Sequence, residues 1–150
     1  MAIARGAGTE IIRSTLVEDL GTTEANLIIG VQHHIYTVLS VTVHSVVSHS
    51  SDNWVSLHVQ GYDTGANYAS GQIINIFKQY IATGETFVWS DKFSFNGFQG
   101  ANLSSALTTA AEQDVVVDQD SGIAQYLIID GGNANNQFDV TCTYIDQNNA

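Results

Sequence analysis

A period-two alternation of apolar and polar residues between Leu27 and Gln60 constrains the fold of this chain more than any other feature. Alternation of this kind is typical of a β-strand with one side on a core and the other facing water or a partner. In the first run, from His33 to Val43, the odd positions form the more apolar series and the even positions the more polar one. In the second run the inward positions are Val55, Leu57 and Val59, and the outward ones are Trp54, Ser56, His58 and Gln60.

A polar segment, Ser48 to Asn53, separates the two runs and predicts an antiparallel hairpin between them. Similar short apolar segments recur along the chain with turn residues every 8–12 positions. This spacing predicts an all-β fold, a single antiparallel β-sandwich of the jelly-roll kind. Further strands are expected over 10–20, 25–30, 72–82, 86–95, 123–129 and 138–145, of which 10–20 and 72–82 also fit helical spacing. One short helix is expected at Ala101–Glu112.

The expected organisation is an extended N-terminal arm with the first strand, residues 1–24, followed by the sandwich domain, residues 25–150. A chain of 150 residues can bury a core of its own. Residues 1–9 are small and glycine-rich, which predicts a mobile arm, and they lack the apolar core of a signal peptide. Synthesis in the cytoplasm is therefore expected. No run reaches the roughly 18 apolar residues of a membrane-spanning helix.

The chain carries a formal charge of −11, yet charged residues make up only 13% of it. Surfaces of folded domains usually carry about 25–35% charged residues. Asn, Gln, Ser and Thr replace them here, and such groups cost less to desolvate against other subunits. With four basic residues the chain offers no basic patch for nucleic acid or anionic membrane. The acidity indicates either simple solubility or docking onto a basic surface.

Candidate reactive groups are few, and each has a simpler interpretation. The single cysteine, Cys142, alternates with Val140 and Tyr144, which indicates a buried small side chain rather than a nucleophile. His44 and His58 would meet across the hairpin only in one of several registers, and two imidazoles fall short of the four ligands of a structural zinc site. Asp114, Asp118 and Asp120 could converge on a cation, but a solvated acidic loop explains them more simply. Glu85 and Asp91 could be paired carboxylates for sugar hydrolysis, but a chain with this many acids produces such spacings by chance. No catalytic residue, metal or cofactor is predicted.

The exposed aromatic residues leave two alternatives open. Trp54, Tyr62, Tyr68 and Trp89 could form a platform for a sugar, and Trp54 on the polar face is the most suggestive of them. An aromatic anchor in a contact between subunits explains Trp54 equally well.

Four runs of the chain resemble small virion structural proteins of marine tailed bacteriophages: Gly6–Arg13, Gln32–Ser40, Gly84–Gly97 and Phe138–Ile145. The likeness covers most of the chain and consists of strands and turns, with a departure at Ala101–Glu112. It implies an N-terminal arm before a compact β-sandwich, no catalytic residues, and in several members decoration or cementing of the capsid.

Taken with the surface composition, the resemblance predicts a non-enzymatic capsid decoration or cement protein on the virion surface. Its expected partners are the major capsid protein and further copies of itself, a trimer being one form, with no nucleic acid and no membrane. The expected contact residues are Arg5, Arg13, Trp54, His58 and Trp89. The alternatives are a tail, neck or host-adhesion sandwich that binds a glycan or another virion protein, and a hydrolase.

Overall fold

A computed structural model of the chain describes residues 9–61, 72–99, 108–111 and 123–148. Eleven strands lie within these residues. The N-terminal strands are β1 (Thr9–Leu20), β2 (Ala25–Ile29), β3 (His34–Val47), β4 (Trp54–Gly61) and β5 (Gln72–Tyr80). The remaining strands are β6 (Thr86–Trp89), β7 (Phe93–Asn96), β8 (Phe98–Gln99), β9 (Ile123–Ala124), β10 (Tyr126–Gly131) and β11 (Gln137–Asn148). Segment 10–20 and residues 72–80 of segment 72–82, which fit either period, form strands.

Two antiparallel sheets pack face to face and confirm the predicted all-β sandwich. The first sheet has five strands in the order β1-β11-β3-β6, with β7 also paired to β3. The second sheet has four strands in the order β2-β10-β4-β5, and β8 pairs with β9 separately. The jelly-roll connectivity stays a prediction. So does the short helix at Ala101–Glu112, since most of that segment lies outside the described residues.

The predicted hairpin between the two alternating runs is wrong. β3 pairs with β11 on one side and with β6 and β7 on the other, so it belongs to the first sheet. β4 pairs with β10 and β5 and belongs to the second sheet. The polar segment Ser48 to Asn53 therefore crosses from one sheet to the other. His44 and His58 lie in different sheets and cannot meet in the way the hairpin would have required.

A β-bulge in the middle of β3 overturns the single inward face predicted for His33 to Val43. Ser40 is paired with Thr143, and the next pair along the strands is Val38 with Tyr144, so Leu39 is an extra residue. Because one extra residue reverses the phase of a strand, the buried side chains change from even to odd positions. Tyr36 and Val38 are buried before the bulge, and Val41 and Val43 are buried after it.

The same bulge accounts for the division of the strand predicted over 86–95. β6 pairs with β3 up to Trp89 opposite Val41, and β7 resumes with Phe93 opposite Val38. The three residues from Ser90 to Lys92 lie alongside the bulged part of β3 and form no strand. One continuous strand was predicted, and two collinear strands are found.

The core lies between the two sheets and is built mainly from β-branched and aliphatic side chains, with several aromatic ones. Its fully buried members include Val38, Val41, Val43, Val55, Leu57, Leu127, Ile129, Phe138 and Cys142. The predicted inward series of the last strand is confirmed, from Phe138 through Val140 and Cys142 to Tyr144. Each buried Val or Leu side chain contributes about 1.5–3 kcal/mol relative to an exposed position. This core fixes the orientation of both outer faces.

Candidate interaction surfaces

The outer face of the first sheet is broad and lacks charged groups at its centre; we call it the neutral face. Cross-strand pairs place its side chains in rows, because residues directly opposite one another share a side of the sheet. Its members are Ile12, Ser14 and Leu16 of β1; Thr141, Thr143 and Ile145 of β11; Thr37, Ser40 and Thr42 of β3; Val88 of β6; and Ser94 of β7. All of them are hydroxyl or aliphatic side chains.

Hydroxyl groups on the neutral face are bonded to one another across the strands. The oxygens of Thr37 and Ser94 are 2.9 Å apart, and those of Ser14 and Thr143 are 3.4 Å apart. Covering a hydroxyl costs free energy unless it has a hydrogen-bond partner. A partner protein could therefore cover this face at a lower cost than one rich in carboxylates.

Charged groups on the outer side of the first sheet lie at its ends. Glu10 is opposite Gln147 at one end of β1, while Glu18 and Asp139 lie towards the other end. Among the described strand residues between those ends, no outward side chain carries a charge. The charged side chains of the described strands are thus kept away from the middle of this face. Interfaces between proteins show the same arrangement, an uncharged centre with a polar rim.

The edge strand β1 is fastened to the sandwich by an ion pair. Arg13 Nε lies 3.0 Å from Asp146 Oδ2, and His34 Nδ1 lies 2.6 Å from Asp146 Oδ1. The Asp146 side chain is only 7% exposed, whereas that of Arg13 is 53% exposed. Burial, and then the nearby Asp146 carboxylate, raise the pKa of Tyr36 to about 12. Arg13, predicted as a contact residue of the arm, therefore belongs to a paired strand and already has a partner.

The outer face of the second sheet is covered at its centre. His58, predicted to point outward to solvent, is 4% exposed, and Ile128 directly opposite it is equally buried. Two side-chain atoms on this sheet, His58 Nε2 and Asp130 Oδ1, are buried and have no hydrogen-bond partner. Desolvation raises the pKa of the Asp130 carboxyl, and the opposing influence of His58 is smaller. His58 thus offers little surface to a second molecule, and its contact role stays a prediction.

One end of the second sheet carries an aromatic pair with a cation. Trp54 and Tyr80 are directly opposite one another on β4 and β5. The Lys78 ammonium lies 4.1 Å from the Trp54 ring centroid and 6.0 Å from that of Tyr80. Cation–π contacts of this kind are worth about 0.5–1 kcal/mol at exposed sites. Trp54 is partly exposed, and its role as a contact residue stays a prediction.

The other predicted contact and platform residues are placed differently or not described. Trp89 points towards the core, with its ring centroid 5.6 Å from that of Phe77, and its indole nitrogen is buried without a partner. Arg5, Tyr62 and Tyr68 lie outside the described residues. The predicted aromatic platform is therefore not assembled from Trp54 and Trp89, which belong to different sheets.

The described part of the chain gives little support for a metal site or a nucleophilic cysteine. No group of three or more His, Cys, Asp or Glu side chains in it is arranged to hold a metal ion. Asp114, Asp118 and Asp120 lie outside the described ranges. Cys142 is buried as predicted, and burial raises the pKa of its thiol to about 12. A thiol with so high a pKa is a poor nucleophile at neutral pH.

Sequence reasoning missed the neutral face, although a signal for it exists. The alternation in β11 sets Asp139, Thr141, Thr143 and Ile145 opposite the core series, so a threonine-rich outer side could be read there. The neighbours that extend this side into a surface come from β1 and β3, and only the pairing supplies them.

None of the described helical residues forms a segment long and apolar enough to cross a membrane.

Comparison with known proteins gives distant structural likenesses only. No family model matches the chain, and no curated protein matches it. A chain from the disulfide-linked pili of Bacillus endospore appendages has a TM-score of 0.41 at 14% identity, over 100% of this chain and 97% of that one. A chain from the acid-stable capsid of Helicobacter pylori bacteriophage KHP30 has a TM-score of 0.43 at 9% identity, over 96% and 91%.

A chain from infectious bursal disease virus, strain Gx, has a TM-score of 0.41 at 6% identity. The alignment covers 94% of this chain but only 32% of the viral one. The structural neighbours are thus viral capsid proteins and a pilus protein. At these TM-scores the likeness transfers no function to the chain.

Proposed function

We propose that this chain is a non-enzymatic structural protein of a bacteriophage virion, a decoration or cement protein that binds the capsid surface as a homo-oligomer. The neutral face carries the proposal. It is a pleated surface of hydroxyl and aliphatic side chains on a chain that is otherwise strongly acidic. Such a face is suited to lying flush on another protein.

The energetics favour burial of this face over burial of the rest of the surface. Ile12 and Leu16 are each 71% exposed, and Val88 is 55% exposed. Covering apolar surface stabilises a complex by roughly 25 cal/mol for each Å² removed from water. The acidic ends of the sheet stay at the rim, where they favour a shell surface with basic groups and exclude acidic partners.

A surface-bound protein stabilises a capsid by mass action, since it binds the assembled shell and not its separated subunits. The resemblance of the sequence to small virion proteins of tailed phages supports this role. The major capsid protein is the partner we propose, and no nucleic acid or membrane takes part.

Substitution at the centre of the neutral face tests the proposal. Thr143→Glu places a charge among side chains that have none, while its outward position leaves the core intact. We expect binding to shells of the parent phage that lack the chain to fall at least tenfold, measured by co-sedimentation. Ser50→Glu in the crossing segment is the matched control and should bind like the natural chain. Equal binding by both variants would reject the neutral face as the contact.

The N-terminal arm is a second proposed contact with the shell, through Arg5. Its truncation should end at residue 8, because β1 begins at Thr9 and a cut through Arg13 would remove the ion pair to Asp146. We expect removal of residues 2–8 to weaken shell binding without lowering the midpoint of thermal unfolding. Undiminished binding would remove the arm from the account.

The exposed aromatic pair favours one other candidate, a host-adhesion or tail protein that binds a glycan. Trp54 and Tyr80 are neighbours on adjacent strands, and Tyr80 is 58% exposed. The Lys78 ammonium already lies over the Trp54 ring, so a sugar would have to displace it or stack elsewhere. Binding of the purified chain to a glycan array, lost in Trp54→Ala, would favour this candidate over the shell.

A further inference from the structure

Within the described part of the chain, the edge strand β1 has one side open to pairing. β1 is a 12-residue strand at the end of the first sheet, and its only strand partner among the described residues is β11. No backbone hydrogen bond joins it to another described strand. An edge of this length presents a row of backbone N–H and C=O groups that can pair with another strand.

The usual protection of a sheet edge is weak in β1. Edge strands are commonly guarded by lysine, proline, bulges or inward charges, and the sequence of β1 contains no lysine or proline. Its bulge lies between Val17 and Leu20, beyond the stretch from Ile12 to Leu16, and its inward charge, Arg13, is paired with Asp146. Its two most exposed apolar side chains, Ile12 and Leu16, lie on the neutral face on either side of Ser14. These two side chains account for much of the apolar surface that the edge leaves in water.

The sequence of β1 is self-complementary about Ser14. If two copies pair antiparallel with Ser14 opposite Ser14, then Ile12 of each copy is opposite Leu16 of the other, on the same side of the sheet. Residues directly opposite one another have Cβ atoms about 4.5–5.5 Å apart, close enough for these apolar side chains to touch. Arg13 falls opposite Thr15 in this register, so no like-charged pair forms at the centre.

A shallow apolar groove lies where the incoming leucine would be placed. It is lined by Glu10, Ile11, Ile12 and Ile145 and has a volume of about 270 Å³. In the register centred on Ser14, Leu16 of the second copy reaches this groove next to Ile12. The groove and the leucine are each exposed in one copy and would be covered in the pair.

We propose that two copies of this chain associate through β1, edge to edge, about a two-fold axis at Ser14. The two first sheets then form one continuous sheet, and the two neutral faces form one larger face. This inference deepens the proposed homo-oligomer, but it rests on the edge and not on the capsid contact. An isologous contact of this kind closes at two copies, so it gives a dimer and not a trimer.

The ends of the paired strands carry a like-charged contact. The same register brings Glu10 towards Glu18 at each end, where the bulge of β1 between Val17 and Leu20 begins. Repulsion between exposed carboxylates weakens as salt screens it. The dimer should therefore tighten as salt is raised from low concentration, whereas an association held by opposite charges would weaken.

Sedimentation equilibrium of the full chain, compared with two variants, tests the proposal. The natural chain should be a dimer, and Leu16→Glu should raise the dissociation constant at least tenfold. Ile74→Glu is the matched control: Ile74 is 66% exposed, on the edge strand β5 of the other sheet, and its replacement should leave the dimer unchanged. A monomer or a trimer, or equal effects of the two glutamates, would overturn the proposal.

Crosslinking tests the register independently. Ser14→Cys should form a disulfide-linked dimer under mild oxidation, because the two positions face each other across the axis. Ser94→Cys, on the same face but at the opposite edge of the sheet, should remain uncrosslinked. Equal crosslinking of the two would reject the register. If the chain is a dimer but fails to bind shells, the dimer proposal stands and the capsid role is rejected. If the chain is a monomer that binds shells, the capsid role stands and the dimer proposal is rejected.

Discussion

Asp130 is a partly buried carboxyl that the fold does not fully satisfy. Its Oδ1 atom has no hydrogen-bond partner, and desolvation raises its pKa above the usual 3.8. A raised carboxyl pKa means that the folded state binds the proton more tightly than the unfolded state does. The charge of Asp130 therefore opposes folding at pH values above its pKa, and this cost disappears when the group is protonated at low pH.

We expect Asp130→Asn to raise the midpoint of thermal unfolding at pH 7 and to have little effect near pH 3. The amide carries no charge to desolvate, whereas at pH 3 the natural side chain is itself protonated. Thermal unfolding of both proteins at the two pH values measures the effect. Destabilisation by Asp130→Asn at pH 7 would show instead that the carboxylate has a stabilising partner.

Tyr36 gives a prediction at alkaline pH. Burial raises its pKa from 10.0 to about 12, so the folded state keeps its proton over a range where the unfolded state has lost it. The resulting stabilisation is complete below pH 10 and is lost as the pH rises towards 12. Over that interval Tyr36 should contribute a fall of about 1.4 kcal/mol in the free energy of unfolding for each pH unit.

Urea unfolding between pH 9 and pH 12 tests this, with Tyr36→Phe as the comparison. The phenylalanine variant should lose stability more slowly as the pH rises, because it has no hydroxyl at position 36 to lose a proton. Some loss should remain in both proteins, since the raised thiol pKa of Cys142 contributes to both. Parallel pH profiles for the two proteins would contradict the buried position of the Tyr36 hydroxyl.

At the scale of the strand, the ion pair of Asp146 holds β1 against the sandwich. Asp146 on β11 is buried and bonded to Arg13 of β1 and His34 of β3, so it joins three strands of the first sheet. We expect Asp146→Asn to lower the free energy of unfolding by about 1–3 kcal/mol, as for other buried charged hydrogen bonds. The exposure of Arg13 argues for the lower part of that range.

Denaturant unfolding measures this loss, with Asp91→Asn as the control. Asp91 is an exposed carboxyl in the interruption between β6 and β7, where an amide should change stability by no more than about 0.5 kcal/mol. Equal stability of the two variants would mean that Asp146 contributes nothing to holding β1. Hydrogen exchange of β1 should also accelerate in Asp146→Asn before that of β4 does.

Period-two patterns predicted most strands correctly because they are local. β11 and the inward pair Val55 and Leu57 of β4 follow directly from alternation along the chain. The partners of those strands could not be predicted in this way, since β3 pairs with β11, about 100 positions away. The bulge at Leu39 also has no local signature, because Val38 and Leu39 are both apolar and either could have been the buried residue.

The candidate surfaces were harder to predict than the fold, since each depends on several strands. His58 alternates as an outward residue and does face away from the core, yet it is buried on that side. Trp89 lies in a strand whose inward side is fixed only by pairing with β3. The low content of charged residues predicted a surface that lies against other subunits. That contact stays a prediction, and composition alone did not indicate which sheet would supply it.

At the scale of the whole molecule, charge and shape are divided between regions. On the outer side of the first sheet, the acidic groups of the described strands lie at the ends, and the centre is uncharged. The second sheet has a covered centre and an aromatic pair at one end. A molecule arranged in this way is suited to lying on a larger assembly with its first sheet against the neighbour.

Electron cryomicroscopy of intact particles of the parent phage tests this account most directly. We predict density for the chain on the outside of the shell, with the neutral face of β1, β11 and β3 against the major capsid protein and the aromatic pair of the second sheet away from it. A chain absent from the particle, or bound with its neutral face in solvent, would contradict the account.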